Sequence, residues 1–199
     1  MSYNDDSLQK NLQEWEAWVF RRQKGIPTNK RLFVLACKDE RLPVEAVLGL
    51  ELGDAHIFRN AGGLATDDAI RSAALTIHFF NTEEIIIVNH TECGMLSATG
   101  EEVTQAVEEK TGLDLTQVAL DPGLPNFKLD RADLARWWKM QSNIDETSAA
   151  QVEAFRGHPL IPDDIPITSY IYEVESGHLR RPHQIYAQQT GIAIKERSL

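Results

Sequence analysis

The sequence predicts an α/β fold, a mostly parallel central β-sheet flanked by helices, in a single domain over residues 1–199. Three observations carry this. Short apolar runs alternate with segments of helical spacing, the order expected of strand-helix-strand units. One run, Ile85-Ile86-Ile87-Val88, is uniformly apolar, as befits a parallel strand covered on both faces. Clusters of Gly, Pro and Asn fall between the runs and supply turns.

Residues 5–24 read as an amphipathic helix, with Leu8, Leu12, Trp15 and Val19 at helical spacing and Trp18 beside them. Gly25-Ile26-Pro27 stops it. Its tryptophans need a large surface to cover them, on their own domain or on a partner subunit. A first strand follows over 31–36. A short helix spans 42–50, with Pro43 tolerated in its first turn. A second strand takes 55–58, and Asn60-Ala61-Gly62-Gly63 turns the chain. Thr66 can cap the next helix, and Asp67 and Asp68 meet the positive end of its dipole. That helix carries Ile70, Ala73, Ala74 and Ile77 and ends near Phe79-Phe80.

The third strand spans 84–89. An acid-rich, largely exposed helix spans 100–111, and a turn occupies 121–125. Helices at 130–141 and 145–157 lead to a break at His158-Pro159-Leu160-Ile161-Pro162. A fourth strand covers 165–174, Ser176-Gly177 turns, and 178–181 can add an edge strand. Residues 181–199 form an arm of weak pattern.

The composition suits a globular chain: 42% hydrophobic and 25% charged over 199 residues. A formal net charge of −10 argues against nucleic acid and anionic membranes as partners. No run approaches the roughly 20 apolar residues of a membrane span. The N-terminus lacks the basic and apolar regions of a secretory signal, so the expected location is cytoplasmic.

The chain has two cysteines: Cys37 ends one apolar run, and Cys93 lies just after a second. Cys37 opens Cys37-Lys38-Asp39-Glu40-Arg41, and Cys93 lies in His90-Thr91-Glu92-Cys93-Gly94. Two thiols and an imidazole at strand ends form a zinc ligand set with one position open, which means chemistry rather than scaffolding. A disulfide is the alternative, but it leaves His90 unexplained. Zinc held this way acidifies a bound water. Thiolate donation softens the effect, so activity should rise with pH. Asp39 could complete a closed four-ligand site. Alternatively the Arg41 fork holds Asp39 off the metal, and Asp39 then orients the bound hydroxide by accepting its proton.

These motifs, with Arg59-Asn60-Ala61-Gly62-Gly63 between them, resemble the β-class carbonic anhydrases from about residue 30 to about 180. The resemblance implies one zinc per subunit on Cys37, His90 and Cys93, and an Asp39–Arg41 catalytic dyad. It implies a homodimer at least, assembled into a larger homo-oligomer. An N-terminal helical segment, 1–27, would lie across the partner, and the arm at 181–199 would also serve oligomer contacts. Two departures are visible. Lys38 stands where an apolar residue is usual, so its charge must point outward or pair. Val34 stands where some members carry a bicarbonate-regulating Trp.

Within the family, the chain looks most like members that work on sulfur analogues of carbon dioxide. The features are Arg21 to Pro27, Asp54 to Gly63, Phe79-Phe80, His158 to Pro162 and Tyr172 to Glu175. The implied reaction is zinc-hydroxide attack on the central carbon of carbon disulfide or carbonyl sulfide, giving hydrogen sulfide and carbon dioxide. Hydration of carbon dioxide to bicarbonate is the alternative, and a non-catalytic zinc-stabilised binding protein is a third reading. The ligands are common to the two enzyme readings, so selection must come from access. Phe79 and Phe80 are candidates to line an apolar tunnel, with core packing at a helix end as the plainer reading. Gly62 and Gly63 could present backbone N–H groups to an anion. No Gly-Lys-Ser/Thr follows them, which excludes a nucleotide loop. His56, His78, His158, His178 and His183 have no spacing that ties them to the metal.

Overall fold

A computed structural model describes residues 10, 28–121 and 123–183. The elements are β1 (Leu32–Cys37), α1 (Val44–Leu48), β2 (Ala55–Asn60), α2 (Asp67–Phe80) and β3 (Glu84–His90), then α3 (Gly100–Thr111), α4 (Arg131–Trp137), α5 (Ile144–Arg156), β4 (Ile167–Glu173) and β5 (His178–Arg180). Two short 3-10 turns, Gly94–Leu96 and Leu115–Gln117, were not evident from periodicity. The expected N-terminal helix, with Trp15 and Trp18, and residues 184–199 of the expected arm lie outside the described residues.

The sheet order is β2-β1-β3-β4-β5. The first four strands run parallel, and β5 returns antiparallel to β4. The chain steps from β1 to β2 on one side, then crosses to β3 on the other. The strand order therefore reverses between β1 and β3. A crevice opens at such a reversal, outside the carboxyl ends of the strands. Cys37 ends β1 and His90 ends β3, so the two motifs meet there.

Alternation along β1 sorts the core. Phe33 and Leu35 face α2 and α5, packed with Ala69, Ala73, Ile77, Ile85, Ile87, Val152 and Phe155. Val34 and Ala36 face the other way, with Leu42, Val44, Val88 and Cys93, and Cys37 joins that cluster where the strand ends. Each large aliphatic side chain so buried contributes roughly 1.5–3 kcal/mol. Coverage is uneven, because α1 has only five residues. Ile57 and Ile86 on its side are half-buried, so the uniformly apolar β3 is not equally covered on its two faces.

Local chemistry sets the helix ends. Thr66 accepts from the N–H of Ala69 at the start of α2. Thr99 and Glu102 make a reciprocal capping box on α3. Periodicity predicts a helix as far as residue 141, but α4 stops at Trp137. Lys139 turns left-handed at φ 54°, and the N–H of Gln141 goes to the Met95 carbonyl at 2.9 Å.

Candidate metal centre

Three elements deliver the candidate ligands. Cys37 is the last residue of β1, His90 the last of β3, and Cys93 lies in the loop that follows. Backbone bonds continue the sheet past both strand ends: Lys38 N–H to Asn60 O at 2.9 Å, and Thr91 N–H to Tyr172 O at 2.9 Å. The ligand atoms of Cys37, His90 and Cys93 all lie within 4.8 Å of one another, and all three residues are buried.

The donor set fits zinc. Both cysteines are free, and their sulfurs are 3.9 Å apart. Two sulfurs on a tetrahedral zinc, each bonded at about 2.3 Å, lie about 3.8 Å apart. A disulfide would need roughly 2.05 Å. His90 Nδ1 lies 2.8 Å from the Thr91 carbonyl. A carbonyl only accepts, so Nδ1 carries the proton and Nε2 presents its lone pair. Nε2 is buried and makes no hydrogen bond among the described residues. Such a nitrogen suits a metal whose ligand is oriented through its other ring atom.

The thiols differ in acidity. Cys37 is drawn down to about 4, first by the hydrogen bond from the Cys93 thiol. Burial opposes this, while the backbone N–H groups of Asp39 and Gly62 assist. Cys93 is pushed up, because it keeps the proton shared with Cys37 and because it is buried. A binding metal would have to displace the Cys93 proton.

Asp39 sits beside this cluster. Arg41 grips it as a fork, Nε to Oδ1 at 3.0 Å and Nη2 to Oδ2 at 3.0 Å, and the Arg41 N–H adds a third bond at 2.9 Å. These bonds hold the Asp39 carboxyl far below the usual carboxylate range. Asp39 Oδ2 is 3.8 Å from His90 Nε2, yet the carboxylate is outside the mutually close ligand set. Both its oxygens are engaged by Arg41, so the geometry favours the held carboxylate over the closed four-ligand site.

Sequence reasoning missed several residues that shape this corner. Arg59 donates to the carbonyls of Cys37 at 2.9 Å, Asp39 at 2.6 Å and Leu42 at 3.1 Å, clamping the loop. Glu92 accepts from Arg41 through its side chain at 2.9 Å and its carbonyl at 3.1 Å. Buried Asn89 donates to Gly62 O at 2.7 Å and Gly63 O at 3.2 Å. Only the Arg at the head of Arg59-Asn60-Ala61-Gly62-Gly63 could have been flagged from sequence.

Two expectations need correcting. The Gly63 N–H group is not free for an external anion. Gly63 N–H bonds Asn60 O at 3.3 Å. Gly63 instead allows close approach: a Cβ there would lie 2.8 Å from Cys37 N and 3.2 Å from Val88 O. Phe79 and Phe80 are not brought to the site of their own chain. α2 starts at the site and runs back along the sheet for 14 residues, about 21 Å. Phe79 is 76% exposed, and Phe80 packs near His56 at the start of β2, ring centroids 6.0 Å apart. Lys38 is exposed, yet it lines the cavity over the cluster.

A cavity of about 390 Å³ opens over the cluster, lined by Cys37, Asp39, Ala61, Gly62, Cys93 and Met95 among others. No described helix is long and apolar enough to cross a membrane.

Comparison with known proteins agrees with this geometry. The carbonic anhydrase family model matches residues 32–179. The chain is 54% identical over 178 residues to a carbon disulfide hydrolase of Acidithiobacillus thiooxidans, covering 88% of this chain and 89% of that one. A solved apo form of carbon disulfide hydrolase aligns with a TM-score of 0.76 and 46% identity, over 98% and 99% of the two chains. A carbonic anhydrase from Glaciozyma antarctica aligns with a TM-score of 0.71 and 30% identity, over 90% and 98%.

Proposed function

This chain belongs to the carbonic anhydrase family, in its β class, and from that premise we propose that it is a zinc hydrolase acting on carbon disulfide and carbonyl sulfide. Each cycle breaks one carbon–sulfur bond. Carbon disulfide and water give carbonyl sulfide and hydrogen sulfide, and carbonyl sulfide and water give carbon dioxide and hydrogen sulfide. The observation that carries the reading is the 54% identity to a carbon disulfide hydrolase over 88% of the chain.

In this reading Cys37, His90 and Cys93 hold the ion. Zinc there would supply Lewis acidity, bringing water close to deprotonation near neutral pH. Asp39 accepts a hydrogen bond from the attacking water and turns its lone pair towards the substrate carbon. Arg41 keeps that carboxylate ionised and stops it swinging onto the metal. Arg59 fixes the loop from which Cys37 and Asp39 project. Thr91 keeps the His90 ring in the tautomer that presents Nε2.

Carbon dioxide hydration is the second reading, favoured by the 30% identity to the Glaciozyma carbonic anhydrase. One preparation decides between them. Sulfide release from carbon disulfide is followed beside stopped-flow hydration of carbon dioxide. Fast hydration without sulfide release would replace the first reading with the second. The protein works as a homodimer at least, in the cytoplasm, where reducing conditions keep both thiols available as ligands.

A further inference from the structure

A second cavity, about 400 Å³, lies between the start of α5 and residues Leu64 and Ala65. Its lining residues include Lys139, Gln141, Ser142, Asn143 and Thr147, although more of its wall is apolar than polar. It borders the metal pocket at Gly62. Gly62 lines the pocket over the metal. A Cβ on Gly62 would lie 3.0 Å from Gln141 Nε2, 3.1 Å from Leu64 Cγ and 3.2 Å from Met95 Cγ. Leu64 and Gln141 belong to the second cavity, and Met95 to the metal pocket.

Gln141 stands at this junction with an unmet amide. Both Nε2 and Oε1 are buried, and neither bonds a group among the described residues. An amide left in that state is unfavourable, so its place implies a small polar occupant that the described residues do not supply. Its backbone is fixed, since the Gln141 N–H is held by Met95 O at 2.9 Å.

We propose that the second cavity is the route by which water reaches the metal pocket and hydrosulfide leaves it, with the Gln141 amide as the hydrogen-bonding station at the junction. This rests on the hydrolase reading above. Complete hydrolysis of one carbon disulfide consumes two waters and yields two hydrogen sulfides. Water and hydrosulfide need polar partners, whereas carbon disulfide has no dipole and needs none. Gln141 offers a donor to hydrosulfide and both a donor and an acceptor to water. Gln141 is therefore a positioning residue for water supply and product release, with no part in bond making.

The test uses the zinc-loaded full chain. Gln141→Leu keeps the volume and removes the amide. It should leave zinc content and KM for carbon disulfide unchanged, lower kcat for sulfide release about tenfold, and expose a burst of sulfide in the first turnover. Ala150→Trp, at an exposed position of α5 on the cavity's far wall, should lower kcat the same way by filling the route. Unchanged kcat in Gln141→Leu would overturn the proposal, and so would a rise in KM alone. A crystal structure of zinc-loaded wild type is a readout independent of turnover. Ordered water on the Gln141 amide supports the route, even if the protein hydrates only carbon dioxide and the hydrolase reading fails. Another segment of the chain, or a second copy, filling the cavity and bonding the amide would end it.

Discussion

Replacing Gly63 with alanine tests how closely the glycine turn must press on the metal loop. Gly63 has φ +62°, and its absent Cβ would meet Cys37 N at 2.8 Å, Ala36 C at 3.0 Å and Val88 O at 3.2 Å. All three are backbone atoms of β1 and β3, held in paired strands, so none can rotate aside. Gly49 supplies a matched control: its φ is also +62°, and nothing lies within 4 Å of its would-be Cβ. Gly49→Ala therefore costs only the left-handed backbone, roughly 1–2 kcal/mol. Gly63→Ala adds the overpacking, roughly 1–3 kcal/mol more. At this chain length 1 kcal/mol moves Tm by about 2–4 °C, so Gly63→Ala should melt roughly 2–12 °C below Gly49→Ala at equal zinc. The displaced Cys37 backbone should also weaken zinc about ten- to hundredfold, read by chelator competition, while Gly49→Ala keeps wild-type affinity. Equal melting points with unchanged zinc affinity would refute the close-approach argument.

Cys37→Ala, His90→Ala and Cys93→Ala should each lose both zinc and activity, and turnover by metal-free Cys93→Ala protein would contradict the ligand assignment. Asp39→Asn should keep zinc and lose roughly a hundredfold or more in kcat; an unchanged kcat would remove Asp39 from the mechanism. The pH dependence has a defined sign. Arg41 depresses the folded pKa of Asp39, so the stability from this pairing is present above the ordinary carboxylate pKa and is lost only as pH falls through the lower folded value. Asp39 is thus ionised across the working range. Activity should rise with pH through a group other than Asp39, and Asp39→Asn should lower the plateau without moving that limb. Arg59→Met removes three bonds to the carbonyls of Cys37, Asp39 and Leu42. It should cut kcat about tenfold or more with zinc retained; unaltered turnover would show that the loop holds itself.

Much of the fold was legible because its signals are local. The apolar runs became β1, β3 and β4, Thr66 caps α2, and the acid-rich stretch became α3 with its capping box. α4 ended early because of the left-handed turn at Lys139, which no periodicity announces in a residue other than glycine. At the site, Asp39 and Arg41 lie close in sequence to Cys37, and His90 to Cys93, so short-range spacing exposed them. Arg59, Asn89 and Gln141 reach the corner through sheet register and loop packing, with partners 17 to 46 positions away in the chain. The tunnel role suggested for Phe79 and Phe80 came from likeness alone, and α2 carries them to the opposite end of the sheet in their own chain.

The sequence by itself determined the donor chemistry, since two thiols and an imidazole following strand-forming runs already specify a soft, open metal site. Tertiary structure alone decided that the donors converge. The strand order reverses between β1 and β3, which brings residues 37 and 90 to one crevice. It also decided that Asp39 is held by Arg41 and that Gln141 stands behind Gly62. Those contacts depend on where separate segments pack in space, which residue type and spacing along a chain do not encode.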